Sequence, residues 1–188
     1  MSNFEFVFSL FGLMLGLSMA EVMSGLSRTM KAHKRVRIGW LTPLLGLLLI
    51  VDLVSFWVGA WDNRAAIPVT FTPMLYGAGV ACIYYLAASL VFPERPEEWD
   101  NLDEYFFANK QFVIAGVLIA NLARVLGVVL LNGTEIMRHP IFWILFVLLT
   151  SSWLAAIAAR GQRANMILLL WMLALFPLIR LFRSLSAS

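Results

Sequence analysis

Charged residues are scarce in this chain. Only 13% of its 188 residues are charged, whereas about 25% are charged in an ordinary soluble domain. Hydrophobic residues make up 61%, and apolar runs of about eighteen residues or more recur along the whole length. No stretch between these runs is long enough for a soluble domain. The composition therefore predicts an all-α integral membrane protein that crosses the bilayer several times.

Residues for disulfides, metals and catalysis are also few. The single cysteine, Cys82, excludes an intrachain disulfide. The only two histidines, His33 and His139, lie in predicted loops without a cysteine or carboxylate at ligand spacing, so we expect neither haem nor a metal. A Walker A, GxGxxG or HExxH sequence is absent, and no histidine lies in a span to activate Ser24. The sequence therefore predicts a protein that is not an enzyme and needs no cofactor.

Six apolar segments are long enough to cross a membrane. About 20 residues at a helical rise of ~1.5 Å per residue span the ~30 Å hydrocarbon core. The N-terminus lacks a charged region followed by a small-residue cleavage site, so we expect the first segment to be retained. The chain is predicted to form one six-span domain, with spans at about 4–26, 38–60, 72–92, 112–131, 141–159 and 164–182.

The distribution of lysine and arginine predicts the orientation of these spans. Five positive charges fall between Arg28 and Arg37, and the predicted cytoplasmic loops together carry nine. The outer segments carry four, namely Arg64, Arg138, Arg180 and Arg183. This bias places both termini outside, in what we expect to be a bacterial inner membrane. It also accounts for the sequence pI of 9.4 without a nucleic-acid partner.

Residues 93–111 form the only long loop, and they are acidic. Six carboxylates stand there against Arg95 and Lys110. Asn101 and Glu104 have the spacing of a capping box, which predicts a short amphipathic cytoplasmic helix that runs into the fourth span. This acidic segment lies on the same side as the basic loop. It either pairs with that loop or is simply solvated.

Small residues recur every three or four positions in two of the spans, which allows another helix to approach closely. They are Gly12, Gly16, Ala20 and Ser24 in the first span and Gly116, Ala120, Ala123 and Gly127 in the fourth. Similar span lengths in the two halves, and the comparable positions of Glu21 and Asn121, are compatible with two parallel three-helix repeats. The residues of the two halves match poorly, so the repeat rests on length and position alone.

Four polar residues interrupt the apolar spans: Glu21, Asp52, Asn121 and Arg124. Measured along the helices from the predicted cytoplasmic side, Arg124 lies at roughly 18 Å and Asp52 at roughly 21 Å, so an ion pair is geometrically allowed. Asn121, three residues before Arg124 and on the same helical face, lies at roughly 14 Å, and Glu21 lies at roughly 10 Å. Together these residues predict a polar track from the cytoplasmic face to the middle of the membrane.

This track has two interpretations. Ionisable groups inside a membrane are costly and often mark a substrate or proton pathway. Alternatively, Asp52 and Arg124 only neutralise each other and fix the register of two helices. Glu21 has no evident partner at its depth except Asn121, which makes it the stronger candidate for a group that binds and releases protons. We interpret the tyrosines and most tryptophans as anchors at the membrane interface.

Two functions are compatible with these features. The first is a small transporter or channel component for an ion or small polar solute, with proton coupling through the four polar residues. The second is a non-catalytic accessory or assembly subunit of a larger membrane complex, which binds its partner through the small-residue stripes and charged loops. Expected partners are membrane lipid and either further copies of the chain or a second membrane subunit.

Overall fold

The computed structural model describes residues 3–186, and the side chains of residues 8–179. Six α-helices account for most of the chain: α1 (Asn3–Lys31), α2 (Leu41–Asp62), α3 (Phe71–Ser89), α4 (Leu102–Asn132), α5 (Pro140–Ala158) and α6 (Gln162–Ser186). Two 3₁₀ helices, Pro96–Glu98 and Thr134–Arg138, lie in the connections on either side of α4. Residues 3–186 contain no β-strand.

All six helices are long and apolar enough to cross a membrane, so the chain is an integral membrane protein of six helices, as the composition predicts. Local signals set where the helices begin. The Asn101 side chain accepts a hydrogen bond of 3.0 Å from the backbone N–H of Asp103, which caps α4 at the predicted residue. Pro140 occupies the first turn of α5, where its missing N–H costs nothing.

The helices form a closed bundle with α2 and α4 in contact across its centre. Around the bundle the neighbours follow the order α1, α3, α4, α5, α6 and α2, and α2 also touches α3. The buried core consists mainly of leucine, valine and alanine from α2, α3 and α4. Two residues from the middle of these helices, Asp52 and Tyr84, are fully buried within it.

Small residues let some of these helices pack closely. On α4, a Cβ atom added to Gly116 would lie 3.3 Å from the Ala87 side chain, so the stripe predicted there faces α3. On α1 the stripe is divided. Gly12 lies against the Trp57 ring, whereas Gly16 has no neighbouring atom within 4 Å of an added Cβ.

The loops at 32–40, 90–101 and 159–161 share one end of the bundle, which we call the basic end. The loops at 63–70 and 133–139 lie at the opposite end. This grouping follows from six antiparallel crossings and agrees with the predicted alternation of loops. Which end faces the cytoplasm stays a prediction, and the side chains of Arg180 and Arg183 lie outside the described residues.

Helix α1 is longer than the sequence predicts, whereas α4 begins where the sequence predicts. The first continues to Lys31 instead of ending near residue 26, so Arg28 belongs to its last turns and not to a loop. The fourth is one continuous helix from Leu102, and the predicted amphipathic segment is its first part. The placement of that segment on the membrane surface stays a prediction.

The predicted three-helix repeat also stays a prediction. The packing of the two halves differs, because α1 packs along α3 whereas α4 makes its main contacts with α3, α2 and α5.

Candidate functional site

Asp52 is the centre of a polar cluster inside the bundle. It lies halfway along α2, and its side chain is completely buried. The Tyr84 hydroxyl on α3 donates a hydrogen bond of 2.8 Å to Asp52 Oδ2. The Asn121 side-chain amide on α4 donates one of 2.9 Å to the same oxygen. Three helices therefore meet at one carboxylate oxygen.

Asn121 connects Asp52 to Arg124. Arg124 Nη2 donates a hydrogen bond of 3.0 Å to Asn121 Oδ1, while the nitrogen of the same amide binds Asp52. Among the described side chains, no Asp52–Arg124 contact within 4.0 Å is found. The direct ion pair that the helix depths allow is thus replaced by an amide between the two charges. Arg124 still acts on Asp52 through space as the nearby cation.

The cluster is incompletely satisfied. Asp52 Oδ1 is buried and has no hydrogen-bond partner among the described residues. Arg124 donates to a single acceptor, and its Nη1 faces Gly59, where an added Cβ would lie 3.8 Å away. A buried carboxylate oxygen without a donor costs free energy, since the charge has lost its water and gained no replacement. We refer to Asp52, Tyr84, Asn121 and Arg124 as the central cluster.

Glu21 does not belong to the central cluster. Its carboxylate lies 3.3 Å from Arg28 Nη2, and its side chain is 29% exposed. Arg28 also donates a hydrogen bond of 3.0 Å to Ser24. The expectation that Glu21 lacks a charged partner is wrong because α1 does not end where the apolar run ends. Arg28 follows two helical turns later on the same face and reaches back.

Tyr84 is the member of the central cluster that the sequence interpretation missed. Tyrosine is common at membrane interfaces, and that rule assigns Tyr84 to an anchor. Its position argues otherwise, since it lies well inside α3 and is fully buried against Asp52. The neighbouring Tyr85, at the same depth in α3, is 43% exposed, so only the rotation of the helix distinguishes the two tyrosines.

A second buried charge, Lys110, lies at the basic end. Lys110 Nζ donates to the Ala156 carbonyl at 3.0 Å, to Asn165 Oδ1 at 2.9 Å and to the Ala159 carbonyl. Its side chain is 4% exposed, and the carbonyls belong to the C-terminal end of α5. A cation is favourable there because the last carbonyls of a helix lack N–H partners and carry partial negative charge.

Asp103 complements Lys110 at this end. Its two carboxylate oxygens accept hydrogen bonds from the Leu41 backbone N–H at 3.2 Å and from the Gln162 side chain at 2.7 Å. Gly39, two residues before Leu41, adopts φ +63°, and an added Cβ would overlap Asp103 Oδ1. Asp103 thereby joins the first residues of α2, α4 and α6. We call this group, together with Lys110 and Asn165, the basic-end cluster.

The basic loop and the acidic segment meet through their backbones. The Arg37 N–H donates to the Asp100 carbonyl at 3.2 Å, and the Leu102 N–H donates to the Arg37 carbonyl at 2.9 Å. An open cleft of about 480 Å³ lies between the two segments. Within the described residues, no ion pair joins them. The predicted proximity is present, but it does not rest on paired charges.

Comparison with protein-family models, curated proteins and solved structures gives no match for this chain.

Proposed function

We propose that the chain is a membrane transporter for a small polar solute, and that Asp52 binds the proton that drives transport. The observation that carries this proposal is the fully buried Asp52 carboxylate, with Oδ1 unpartnered among the described residues. It lies at the meeting point of α2, α3 and α4, halfway along a helix that is long enough to cross the membrane.

A purely structural role would favour a different arrangement. The basic-end cluster, by contrast, pairs its buried charges fully. Lys110 has three acceptors there, and each oxygen of Asp103 has a donor. At Asp52 a donor is lacking, although an unpaired buried charge is expensive. Ionisable groups inside a membrane often mark substrate or ion pathways and proton relays.

Proton binding at Asp52 would remove this penalty. A protonated carboxyl is neutral and supplies an O–H donor of its own, so burial costs it much less than the carboxylate. Tyr84 and Asn121 would keep the group in place, since both bind the other oxygen. One side chain can then exist in two states of different charge without unfolding the bundle, which is what coupled transport requires.

Purified protein in liposomes provides the test. Gradients of sodium, potassium, chloride, nitrate or inorganic phosphate are applied in turn, and a dye trapped in the lumen reports the pH change. We expect one of these gradients to drive proton movement, and Asp52→Asn to abolish it. Glu21→Gln is the matched control, because it also neutralises a carboxylate within a span but lies outside the central cluster.

Two results would contradict the proposal. One is a wild-type protein that moves no protons under any of the five gradients. The other is an Asp52→Asn variant that retains wild-type proton movement.

An open helix face favours the second candidate function, a non-catalytic accessory subunit. Gly16, Ala20 and Ser24 on α1 are exposed, and an added Cβ at Gly16 meets nothing within 4 Å. A helix of another polypeptide, or of a second copy, could approach closely there. The mass of the complex after solubilisation in mild detergent separates the candidates. A stable second polypeptide, together with no flux in liposomes, would favour the accessory subunit.

A further inference from the structure

We infer that the solute is a small monovalent anion, that Arg124 binds it, and that it is carried together with the proton on Asp52. This inference rests on the proposed transport function and specifies its substrate class. The first observation is the state of the Arg124 guanidinium. Among the described residues it donates one hydrogen bond, to Asn121 Oδ1, and no carboxylate lies within 4.0 Å of it.

The orientation of Arg124 leaves its other donors available. A guanidinium carries five N–H donors arranged to bind planar or spherical anions, and it remains charged at every physiological pH. Asn121 holds Nη2, whereas Nη1 faces Gly59. Since Gly59 has no side chain, the space beside Nη1 is not filled from α2. Gly59 lies three residues before the end of α2, so this space is near the opposite end of the bundle.

The charge balance explains why anion and proton would travel together. With Asp52 ionised and Arg124 charged, the central cluster carries no net charge. A bound monovalent anion alone would leave it at minus one, and a proton alone would leave it at plus one. Binding both restores neutrality, with protonated Asp52, the anion and the Arg124 cation. Only the empty and the doubly loaded states avoid a net charge beside the fully buried Asp52, where such a charge is costly.

Within the described residues, no other charged group near Asp52 disturbs this balance. Of the helices packed on α2, α3 contributes the Tyr84 phenol and α4 contributes Arg124. Within the described residues, α1 and α6 place no charged group near the carboxylate. Linkage then requires that the anion and the proton each strengthen the binding of the other.

Calorimetric titration of the purified protein with sodium nitrate and sodium chloride tests this inference. Measurements at several pH values, in two buffers that differ in ionisation enthalpy, give both the affinity and the number of protons taken up. We expect uptake of one proton per anion. The affinity should fall about tenfold per pH unit where Asp52 is ionised before binding. Asp52→Asn should still bind the anion but lose proton uptake and pH dependence.

Variants of Arg124 and its neighbour complete the test. Arg124→Gln should weaken anion binding at least 30-fold, whereas Arg28→Gln, which removes the half-buried arginine paired with Glu21, should leave it unchanged. If Arg124→Gln does not fold, Gly59→Ala tests the same anion site. Its methyl group fits without a clash but occupies the space beside Nη1, so it should weaken binding while keeping every charge.

The possible failures are distinguishable. Binding of neither anion, or binding that Arg124→Gln and Gly59→Ala leave intact, would overturn this inference. If a sodium or potassium gradient still drives proton movement that depends on Asp52, the proposed transport function survives without the anion. If the anions bind with proton uptake but no flux occurs in liposomes, the transport function fails, and the Arg124 site remains as a binding site only.

Discussion

The central cluster and the basic-end cluster bury similar groups but satisfy them differently. At the basic end, Lys110 has three oxygen acceptors and Asp103 has a donor on each oxygen. In the centre, one oxygen of Asp52 has no partner among the described residues, and Arg124 has one acceptor. A fully satisfied network favours one arrangement of the helices, whereas an unpaired buried polar group is costly. We therefore propose that the basic-end cluster stabilises the bundle and that the central cluster carries the proposed transport function.

The largest effect is expected at Lys110. Lys110→Met keeps the length of the side chain but leaves the Ala156 and Ala159 carbonyls and the Asn165 amide oxygen without this donor. Removing one partner of a buried charged network should lower the free energy of unfolding by about 3 kcal/mol. Unfolding in mixed micelles with increasing SDS measures this loss. A Lys110→Met variant as stable as the wild type would show that the basic-end cluster does not stabilise the bundle, which contradicts the proposed difference between the two clusters.

A smaller loss is expected from Gly39→Ala. Alanine is unfavourable at φ +63°, and its Cβ would overlap Asp103 Oδ1, so the bonds from Leu41 and Gln162 would have to shift. We expect a destabilisation of about 2 kcal/mol in the same SDS titration. Gly161→Ala is the control, because an added Cβ there meets nothing within 4 Å and should change stability little. Equal stability of the two variants would show that Asp103 does not fix the end of the bundle.

In the central cluster we expect Asn121→Leu to cost about 1 kcal/mol, because Asn121 is the hydrogen-bonded link between Asp52 and Arg124. The rate of proton movement in liposomes should fall by a larger fraction than the free energy of unfolding does. Asn132→Leu is a matched control on the same helix, where the amide is exposed and binds Asn63. Loss of stability comparable to that of Lys110→Met, with transport per folded molecule unchanged, would assign a structural role to the central cluster as well.

The smallest effect is expected at Glu21. The pair with Arg28 is partly exposed, with side chains 29% and 36% accessible, and exposed ion pairs contribute less than about 1 kcal/mol. Glu21→Gln should therefore change the SDS midpoint by no more than the error of the titration and leave proton movement intact. A large loss of transport in this variant would contradict the assignment of the functional site to the central cluster and would place it on α1 instead.

The sequence determined the six helices without further information, because each apolar run has the length of a membrane crossing and few charges. It also determined the start of α4 at Asn101, since capping depends on local backbone geometry. Asp52, Asn121 and Arg124 could be placed near one level of the membrane from the helical rise alone. These results depend only on distances along the chain.

The rotation of each helix about its axis, and so the face that it packs against a neighbour, depends on the tertiary structure. A helix that is apolar all round has little periodicity to indicate its rotation, so Tyr84 could not be distinguished from an interfacial anchor. For the same reason the sequence could not show that Asn121 lies between Asp52 and Arg124. Nor could it show that Lys110 contacts the end of α5. The pairing of Glu21 with Arg28 was missed for a different reason. The apolar pattern ends before helix α1 does, so the pattern could not show that Arg28 lies two turns away on the same helical face.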